Sequence, residues 1–208
     1  MLHKETVEPA TLELLNNLMQ IDELKEFALL GGTSLSLRWG HRKSEDIDLF
    51  SNISFNEELV ITALESYFSN CVIDIKEKQT IRIFINDVKV EIIAPKKKYL
   101  KPFEIIDSIR FFSVDDTMAF KMNAIERRGS KKDFYDLYEA LKYYQLDALI
   151  SFYTQKFETS NSMQLLKSIT YFEDAENQPQ PILFENIDWQ DAKNTIKVKF
   201  NQYINTKI

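Results

Sequence analysis

The sequence is poor in the residues that build disulfide-rich, metal-rich or disordered proteins. Its 208 residues contain one cysteine, Cys71, which excludes an intramolecular disulfide and a cysteine-based zinc cluster. The two histidines, His3 and His41, are too few for a histidine-rich metal site. Four glycines and five prolines leave no tract with the composition of collagen or of a long disordered segment.

Long apolar stretches are missing as well. No apolar run approaches the roughly 18 residues that cross a bilayer. The first residues, Met1 to Glu8, lack the apolar core of a signal peptide, and a single cysteine fits a reducing compartment. We therefore expect a cytoplasmic protein that does not associate with membranes.

What is present is a globular composition with unevenly distributed charge. Hydrophobic residues make up 44% of the chain, which is enough for a sizeable core. The net charge is −6, yet basic residues cluster at 96–101 and 121–132, and residues 173–191 contain acids but no bases. An acidic protein can still bind a polyanion through one basic face, although each cluster alone is also typical of a solvated helix face.

The apolar spacing predicts strands in the first half of the chain and helices in both halves. Apolar runs bounded by turn residues predict strands at 27–30, 46–50, 72–75, 81–85, 88–93 and 109–114. Helical spacing predicts helices at 9–27, 33–39, 56–68, 115–128, 132–144, 146–157, 162–172 and 189–204. This order predicts an α+β fold, with a small mixed sheet flanked by helices in residues 1–114 and a helical region in residues 115–208.

Two polar motifs lie close together in the first half. A predicted strand ends in Gly31-Gly32, and the helix that follows would leave main-chain N–H groups pointing outward as an anion site, with Thr33 and Ser34 adding hydroxyl donors. Further along, Asp46 and Asp48 share one face of a predicted strand because side chains alternate along a strand. Paired carboxylates repel unless a cation lies between them, and their hard oxygen atoms suit Mg²⁺.

These motifs resemble the nucleotidyltransferase superfamily of DNA polymerase β. More narrowly, segments 27–35, 41–50, 118–129 and 132–137 resemble the AbiEii/AbiGii toxin family, whose members are toxins of bacterial toxin–antitoxin and abortive phage-infection systems. The resemblance covers residues 27 to 145, and residues 146–208 resemble no family that we recognise. It implies a nucleotidyltransferase core domain in residues 1–114 and a helical region that completes the active site.

The resemblance also implies a set of site residues. Gly31, Gly32, Thr33 and Ser34 would hold the triphosphate of an NTP, with Lys121 neutralising phosphate charge. Asp46 and Asp48 would ligate Mg²⁺ or Mn²⁺. Glu91, on a later predicted strand, is the expected third ligand, and Asp133 is the acidic residue that follows the lysine in the family pattern.

These residues predict a metal-dependent enzyme that moves a nucleoside monophosphate from NTP to an acceptor and releases pyrophosphate. The resemblance implies RNA, and tRNA in particular, as the acceptor, and a cognate antitoxin as a partner. Two alternatives stay open: a nucleotidyltransferase acting on a small molecule of the aminoglycoside kind, and a binding module that keeps the fold with little or no catalysis.

Several of these residues also have a plain structural interpretation. Glu91 is also compatible with an exposed strand position, Lys121 with a surface position on its helix, and Asp133 with a helix cap. We expect Asp136 to pair with Lys132 or Arg128 rather than to meet a metal. We expect His41, on a predicted loop, to face solvent.

Overall fold

The computed structural model describes residues 1–206, which divide into two compact units. The first, which we term the sheet unit, comprises residues 1–40 and 44–113. The second, the helical unit, comprises residues 41–43 and the described residues from Val114 onward. Among residues 1–206, no helix combines the length and the apolarity that crossing a bilayer requires.

The sheet unit contains a mixed sheet, as the sequence predicts, but with seven strands instead of the six predicted. Its strands are β1 (Ala28–Leu30), β2 (Ile47–Phe50), β3 (Cys71–Glu77), β4 (Thr80–Ile85), β5 (Val88–Ile93), β6 (Glu104–Ile106) and β7 (Ile109–Phe111). Their order across the sheet is β3-β4-β5-β2-β1-β7-β6. The pairs β2–β5 and β1–β7 are parallel and the others antiparallel.

Strand β6 was not predicted. Its residues Glu104 and Ile105 are exposed, so it lacks the apolar alternation that reveals a half-buried strand. It pairs with β7 through a turn in which Asp107 and Ser108 both have positive φ. Such turns are usually signalled by glycine, which is absent at this position.

Three helices belong to the sheet unit: α1 (Pro9–Leu18), α2 (Gly31–Trp39) and α3 (Glu57–Tyr67). The Asn56 side chain caps α3 by accepting hydrogen bonds from the N–H groups of Glu58 and Leu59, at 3.0 and 3.2 Å. The prediction of one helix over 9–27 is wrong, because α1 ends at Leu18 and only a 3₁₀ turn, Asp22–Leu24, follows.

Arg110 gives a physical reason for this early end. Its guanidinium donates to the main-chain carbonyls of Met19, Leu24 and Phe27 at 2.8 to 3.0 Å. A carbonyl that accepts from a side chain in this way does not need the helical N–H partner that would otherwise satisfy it. The segment after Leu18 is thus held by a residue more than 80 positions away.

Each of the two central strands has an apolar face and a polar face. Along β2, Ile47 and Leu49 are buried in the core, whereas Asp48 and Phe50 on the other face are partly exposed. Along β5, Val90 and Ile92 are buried, and Glu91 lies on the partly exposed face. The face of these strands that points away from the core is therefore partly polar, and it carries Asp48 and Glu91.

The helical unit contains α4 (Val114–Arg127), α5 (Lys131–Ala140), α6 (Leu146–Phe157), α7 (Met163–Ile169), the short α8 (Glu173–Glu176) and α9 (Trp189–Asn205). The sequence predicts that Gly129 ends the helix before it, and α4 does end two residues earlier, at Arg127, with Gly129 at φ +48°. Phe134 packs against the rings of Phe172 and Trp189. Phe134 and Tyr135 are buried, whereas Tyr143, beyond the end of α5, is exposed.

The sequence predicts that Asp115 or Asp116 caps α4, and this prediction is wrong. The helix begins at Val114, so Asp115 and Asp116 lie inside its first turn instead of before it. Asp116 is buried and accepts a hydrogen bond from the Lys156 ammonium at 2.6 Å. The residue that looked like a cap is therefore part of a buried ion pair between α4 and α6.

Candidate active site

Strand pairing brings three of the predicted acidic residues to one part of the sheet. Asp48 on β2 lies directly opposite Glu91 on the parallel strand β5. Asp46 precedes β2 by one residue and, two positions before Asp48, shares its face of the sheet. Like charges in adjacent cross-strand positions repel, so this pairing has a cost unless cations offset it.

Gly31 forms a cradle for the Asp48 carboxylate. It begins α2 at φ +74°, and a Cβ added to it would lie 2.0 Å from Asp48 Oδ2. Only glycine fits this position, because any side chain would displace the carboxylate. The first N–H groups of α2 have no partner within the helix, so the segment that packs on Asp48 also provides main-chain donors suited to an anion.

Thr33 and Ser34 have buried side chains. Thr33 Oγ1 hydrogen-bonds with Ser44 Oγ at 2.9 Å and donates to the main-chain carbonyl of Asp46. The Thr33 hydroxyl therefore holds the chain at Asp46 in place. What residues 31–34 can offer to a phosphate is their backbone.

Two basic residues contact the acidic side chains. The Arg82 guanidinium on β4 donates to Glu91 Oε1 at 2.7 Å, and it lies 3.4 Å from Asp74 on β3. On β5, the Lys89 ammonium lies 3.2 Å from Asp46 Oδ2 and 3.9 Å from Glu91 Oε1. Sequence reasoning missed both residues, because strand alternation shows which face a lysine occupies but not which acid lies beside it.

The aspartates fit a divalent cation, whereas Glu91 is already paired. Asp46 and Asp48 offer the hard oxygen atoms that Mg²⁺ and Mn²⁺ prefer. Because Gly31 has no side chain, the Asp48 carboxylate can lie against the start of α2. Within residues 1–206, however, no three side chains of His, Cys, Asp or Glu are grouped as metal ligands. Glu91 faces Arg82 instead, so it could join a metal only by exchanging that partner.

Lys121 and Asp133, the other predicted site residues, lie together in the helical unit. Lys121 on α4 is only 6% exposed, so it is not a surface lysine. Its ammonium contacts Asp133 Oδ1 at 2.8 Å and Asp136 Oδ2 at 2.6 Å. The lysine is thus held between two carboxylates of α5.

Asp136 has more charged partners than the sequence suggests. Arg42 donates to it twice, from Nε at 2.6 Å and from Nη2 at 2.9 Å, and His41 Nε2 lies 2.7 Å from Oδ1. The expected pairing of Asp136 with Lys132 or Arg128 is wrong. The expectation that His41 faces solvent is also wrong, since it is 4% exposed. No local signal links residues 41–42 to Asp136, which lies more than 90 positions further on.

Asp133 has a capping role, as its position after Ser130 suggests. It is residue N3 of α5 and forms a capping box with Ser130. Arg128 adds a hydrogen bond to Asp133 Oδ2 at 3.0 Å. The Asp133 carboxylate therefore both caps the start of α5 and pairs with the Lys121 ammonium.

Burial and charge act in opposite directions on this cluster. Burial alone would raise the pKa of Asp136, but Arg42 and Lys121 outweigh it and hold the pKa well below the ordinary value. The pKa of Asp133 is likewise lowered, since Lys121 and Arg128 outweigh burial. Burial would lower the pKa of Lys121, and the two carboxylates raise it. All three groups are therefore charged at neutral pH.

Comparison with known proteins identifies the family. Residues 13–203 match the family described as nucleotidyl transferase AbiEii toxin, type IV toxin–antitoxin system. The chain belongs to the AbiEii toxin family. The match extends well beyond residue 145, so α6 to α8 and most of α9, whose motifs resembled no family, lie within the region that AbiEii proteins share.

Individual proteins are similar to this chain over most of its length. An uncharacterised protein of Aquifex aeolicus is 28% identical over 206 residues, which cover 92% of this chain and 95% of the relative. Among solved structures, JHP933 from Helicobacter pylori has a TM-score of 0.60 at 19% identity, with 97% of this chain and 94% of that chain covered. MenT4, a nucleotidyltransferase toxin from Mycobacterium tuberculosis, has a TM-score of 0.61 at 14% identity, covering 90% and 82%.

The family and the fold confirm two predictions. This AbiEii protein is a nucleotidyltransferase of the toxin class. Its α+β architecture, with a mixed sheet and helices, is the architecture of nucleotidyltransferase toxins such as MenT4.

The Gly31 cradle gives a first prediction. Gly31→Ala should lower stability by about 1–2 kcal/mol, because an L side chain is strained at positive φ, and it should also displace Asp48 and remove activity. Gly129→Ala is the matched control: its φ is +48°, but the nearest atom to its Cβ would be 3.3 Å away. Thermal unfolding should show a loss in both variants, and a transfer assay should show a loss only in Gly31→Ala. Full activity of Gly31→Ala would contradict the cradle.

The carboxylates of the helical unit give a second prediction. Because the pKa values of Asp133 and Asp136 are lower when folded, their stabilising effect is complete above about pH 4 and is lost as the pH falls further. Each can lower the free energy of unfolding by up to about 1.4 kcal/mol per pH unit. Urea unfolding followed by Trp189 fluorescence in a Trp39→Phe background would measure this. Asp136→Asn should show a shallower acid dependence, and an unchanged slope would contradict the prediction.

Proposed function

We propose that this AbiEii toxin transfers a nucleoside monophosphate from an NTP to an acceptor hydroxyl. The hydroxyl oxygen loses its proton to solvent and forms a bond to the α-phosphorus, the bond between the α-phosphorus and the bridging oxygen breaks, and pyrophosphate leaves. The observation that carries the proposal is the contact of the Asp48 carboxylate with the glycine turn that begins α2. It combines an anion-binding backbone with an acidic residue in one place.

Asp46 and Asp48 are the proposed ligands of Mg²⁺ or Mn²⁺. Glu91 would become a third ligand when the metal ion replaces Arg82 as its partner. Such an ion, when bound, lowers the pKa of an attacking hydroxyl and offsets charge on the leaving phosphates. The protein's own part is to fix the carboxylates: Thr33 holds the main chain at Asp46, and Gly31 positions Asp48. The main-chain N–H groups of α2 are proposed to bind the triphosphate of the NTP.

Lys121 and Asp133 stay predicted site residues on the strength of the family pattern. Their contacts show what a substitution there would disturb, since Lys121 carries a buried charge that is paired with two carboxylates. We therefore expect Lys121→Ala to lower stability as well as turnover. Activity lost by this variant has to be corrected for the fraction of folded protein.

RNA is the acceptor we propose, with tRNA as the first to test. In the sheet unit, the segment between β5 and β6 exposes Lys96, Lys98 and Lys101, which suit a phosphate backbone. The second basic cluster is smaller than its sequence suggests. Lys131 is buried, and its ammonium donates to the carbonyls of Glu176 and Gln178 at 2.9 and 2.7 Å, which leaves Arg127, Arg128 and Lys132 exposed.

We further propose that a cognate antitoxin restrains this enzyme in its host, as membership of a type IV toxin–antitoxin family suggests. Expression of the chain alone should slow growth of a bacterial host, and Asp48→Asn should relieve the effect. The reading frame next to the gene is the first source in which to seek the antitoxin.

A transfer assay tests the proposed reaction. The protein is incubated with total bacterial RNA, Mg²⁺ and each NTP labelled at the α-phosphate, and the products are separated by size. We expect label from one or two nucleotides in RNA of tRNA length, dependent on Mg²⁺ and absent with Asp48→Asn. Label that enters only a small molecule or a protein would overturn the RNA acceptor. No transfer to any acceptor, by folded protein that binds NTP, would overturn the reaction.

A further inference from the structure

Lys89 occupies a specific place between two of the acidic side chains. It lies on β5, two residues before Glu91 and therefore on the same face of the sheet. Its ammonium is 3.2 Å from Asp46 Oδ2 and 3.9 Å from Glu91 Oε1. The three side chains are all partly buried, with 31% of Lys89, 32% of Asp46 and 19% of Glu91 exposed.

The strand register imposes this arrangement. In the parallel pair β2–β5, Ile47 is opposite Val90 and Asp48 is opposite Glu91. Asp46 directly precedes β2 and Lys89 directly precedes Val90, so the register continued one residue beyond the start of β2 brings Asp46 beside Lys89. The contact thus follows from the backbone, unlike a chance meeting of a long surface side chain with an acid.

The charges on this face are balanced by the protein itself. Asp48 and Glu91 are a like-charge cross-strand pair, which is unfavourable alone. Arg82 offsets Glu91 from β4, and Lys89 offsets both Asp46 and Glu91 from β5. A divalent ion ligated by Asp46 would compete with the Lys89 ammonium, which lies 3.2 Å from one oxygen of that carboxylate.

We infer that Lys89 is a built-in counter-ion of the metal-binding carboxylates, and that a divalent ion has to displace its ammonium from Asp46. This inference rests on the proposed function, since it assumes that Asp46 and Asp48 bind the ion. Lys89 thereby weakens the binding of free metal ions. It keeps the acidic face stable without one, because the carboxylates have a cation of their own.

The proposed role of Lys89 also predicts that metal and NTP bind cooperatively. An ion that arrives with a triphosphate brings phosphate oxygens with which a displaced ammonium can pair, whereas a free ion brings none. Metal and NTP should therefore each strengthen the binding of the other. Part of that coupling should depend on the positive charge of residue 89.

Titration with Mn²⁺ tests the inference without any activity measurement. Loss of the electron paramagnetic resonance signal of free Mn²⁺ reports binding to the full chain. Lys89→Met should bind Mn²⁺ about tenfold more tightly than the wild type, because a competing charge on a partly exposed pair is removed. Lys89→Arg keeps the charge and should bind within about twofold of the wild type.

Lys76→Met is the matched control. Lys76 also lies on the sheet, on β3, and also pairs with a carboxylate, that of Glu58. Its ion pair with Glu58 involves none of the proposed metal ligands, so its removal should leave Mn²⁺ affinity unchanged. Thermal unfolding should show that Lys89→Met is less stable than the wild type without Mn²⁺ and gains more stability when Mn²⁺ is added. Lys89→Gln replaces Lys89→Met if that variant does not fold.

The outcomes separate this inference from the proposed function. If Asp48→Asn removes Mn²⁺ binding but Lys89→Met binds like the wild type or like Lys76→Met, the role of Lys89 is overturned and the metal site stands. If neither the wild type nor Lys89→Met binds Mn²⁺, both fail. Binding that becomes detectable, or about tenfold tighter, only when the charge of residue 89 is removed supports the inference.

Discussion

Asp48→Asn should reduce nucleotidyl transfer by roughly a thousandfold or more, since metal-based charge stabilisation is worth several kcal/mol and about 1.4 kcal/mol is a factor of ten in rate. The amide keeps the shape of the carboxylate, so the side chain can still pack against Gly31. It removes the negative charge that the proposed cation requires. The label-transfer assay at saturating NTP measures the loss.

The same variant should fold as well as the wild type. Asp48 is opposite Glu91 in the register, and the loss of one negative charge relieves their repulsion. We therefore expect an unchanged or slightly higher melting temperature. Glu45→Gln is the matched control, because Glu45 directly precedes Asp46 and is exposed, and it should keep near wild-type activity. A fully active Asp48→Asn enzyme would refute the proposed site.

Asp136→Asn should cost about 3–5 kcal/mol of stability, as expected when one partner of a buried ion pair is removed. Asp136 is fully buried, and its carboxylate is shared by Lys121, Arg42 and His41. The asparagine would leave Lys121 with Asp133 alone and leave Arg42 without its two charged hydrogen bonds. This is the largest effect on stability that we expect from a single substitution in the helical unit.

Urea unfolding followed by Trp189 fluorescence, in the Trp39→Phe background, measures this loss in the helical unit. Glu185→Gln is the control for an exposed ion pair, because Glu185 contacts the Lys142 ammonium at 2.6 Å and is 54% exposed. It should cost less than about 1 kcal/mol. An Asp136→Asn protein as stable as Glu185→Gln would show that the buried cluster contributes little.

Most elements followed from local chemistry. Alternation of apolar and polar residues located β2 and β5, because one face of each strand is buried and the other is not. Asn56 and Gly129 marked the start of α3 and the end of α4 through their side-chain and backbone preferences. Predictions failed where distant residues decided the outcome. The predicted helix over 9–27 ends early, and Arg110 donates hydrogen bonds to the main-chain carbonyls of Met19 and Leu24 that follow α1.

The candidate site around Asp48 and the charge network around Asp136 differ in how far apart their residues lie in the sequence. The glycine pair and the two aspartates lie within 18 positions of each other, and their residue types and spacing point to a phosphate and metal site and to a superfamily. The narrower family resemblance also depends on segments 118–129 and 132–137. The network around Asp136 joins α4 and α5 to residues 41 and 42. Neither propensity nor periodicity encodes a contact across that separation, so the sequence led to the wrong partners.

The sequence by itself determined the residue types of the candidate site, the shared face of Asp46 and Asp48, and the family. Tertiary structure alone decided that β2 and β5 pair in parallel, and with that register it decided that Asp48 meets Glu91 and that Lys89 contacts Asp46. It also decided that Arg42 and His41 are buried against Asp136. The physical reason is that strand register and buried charge pairs depend on packing between distant segments, whereas alternation and turn chemistry act between neighbours in the chain.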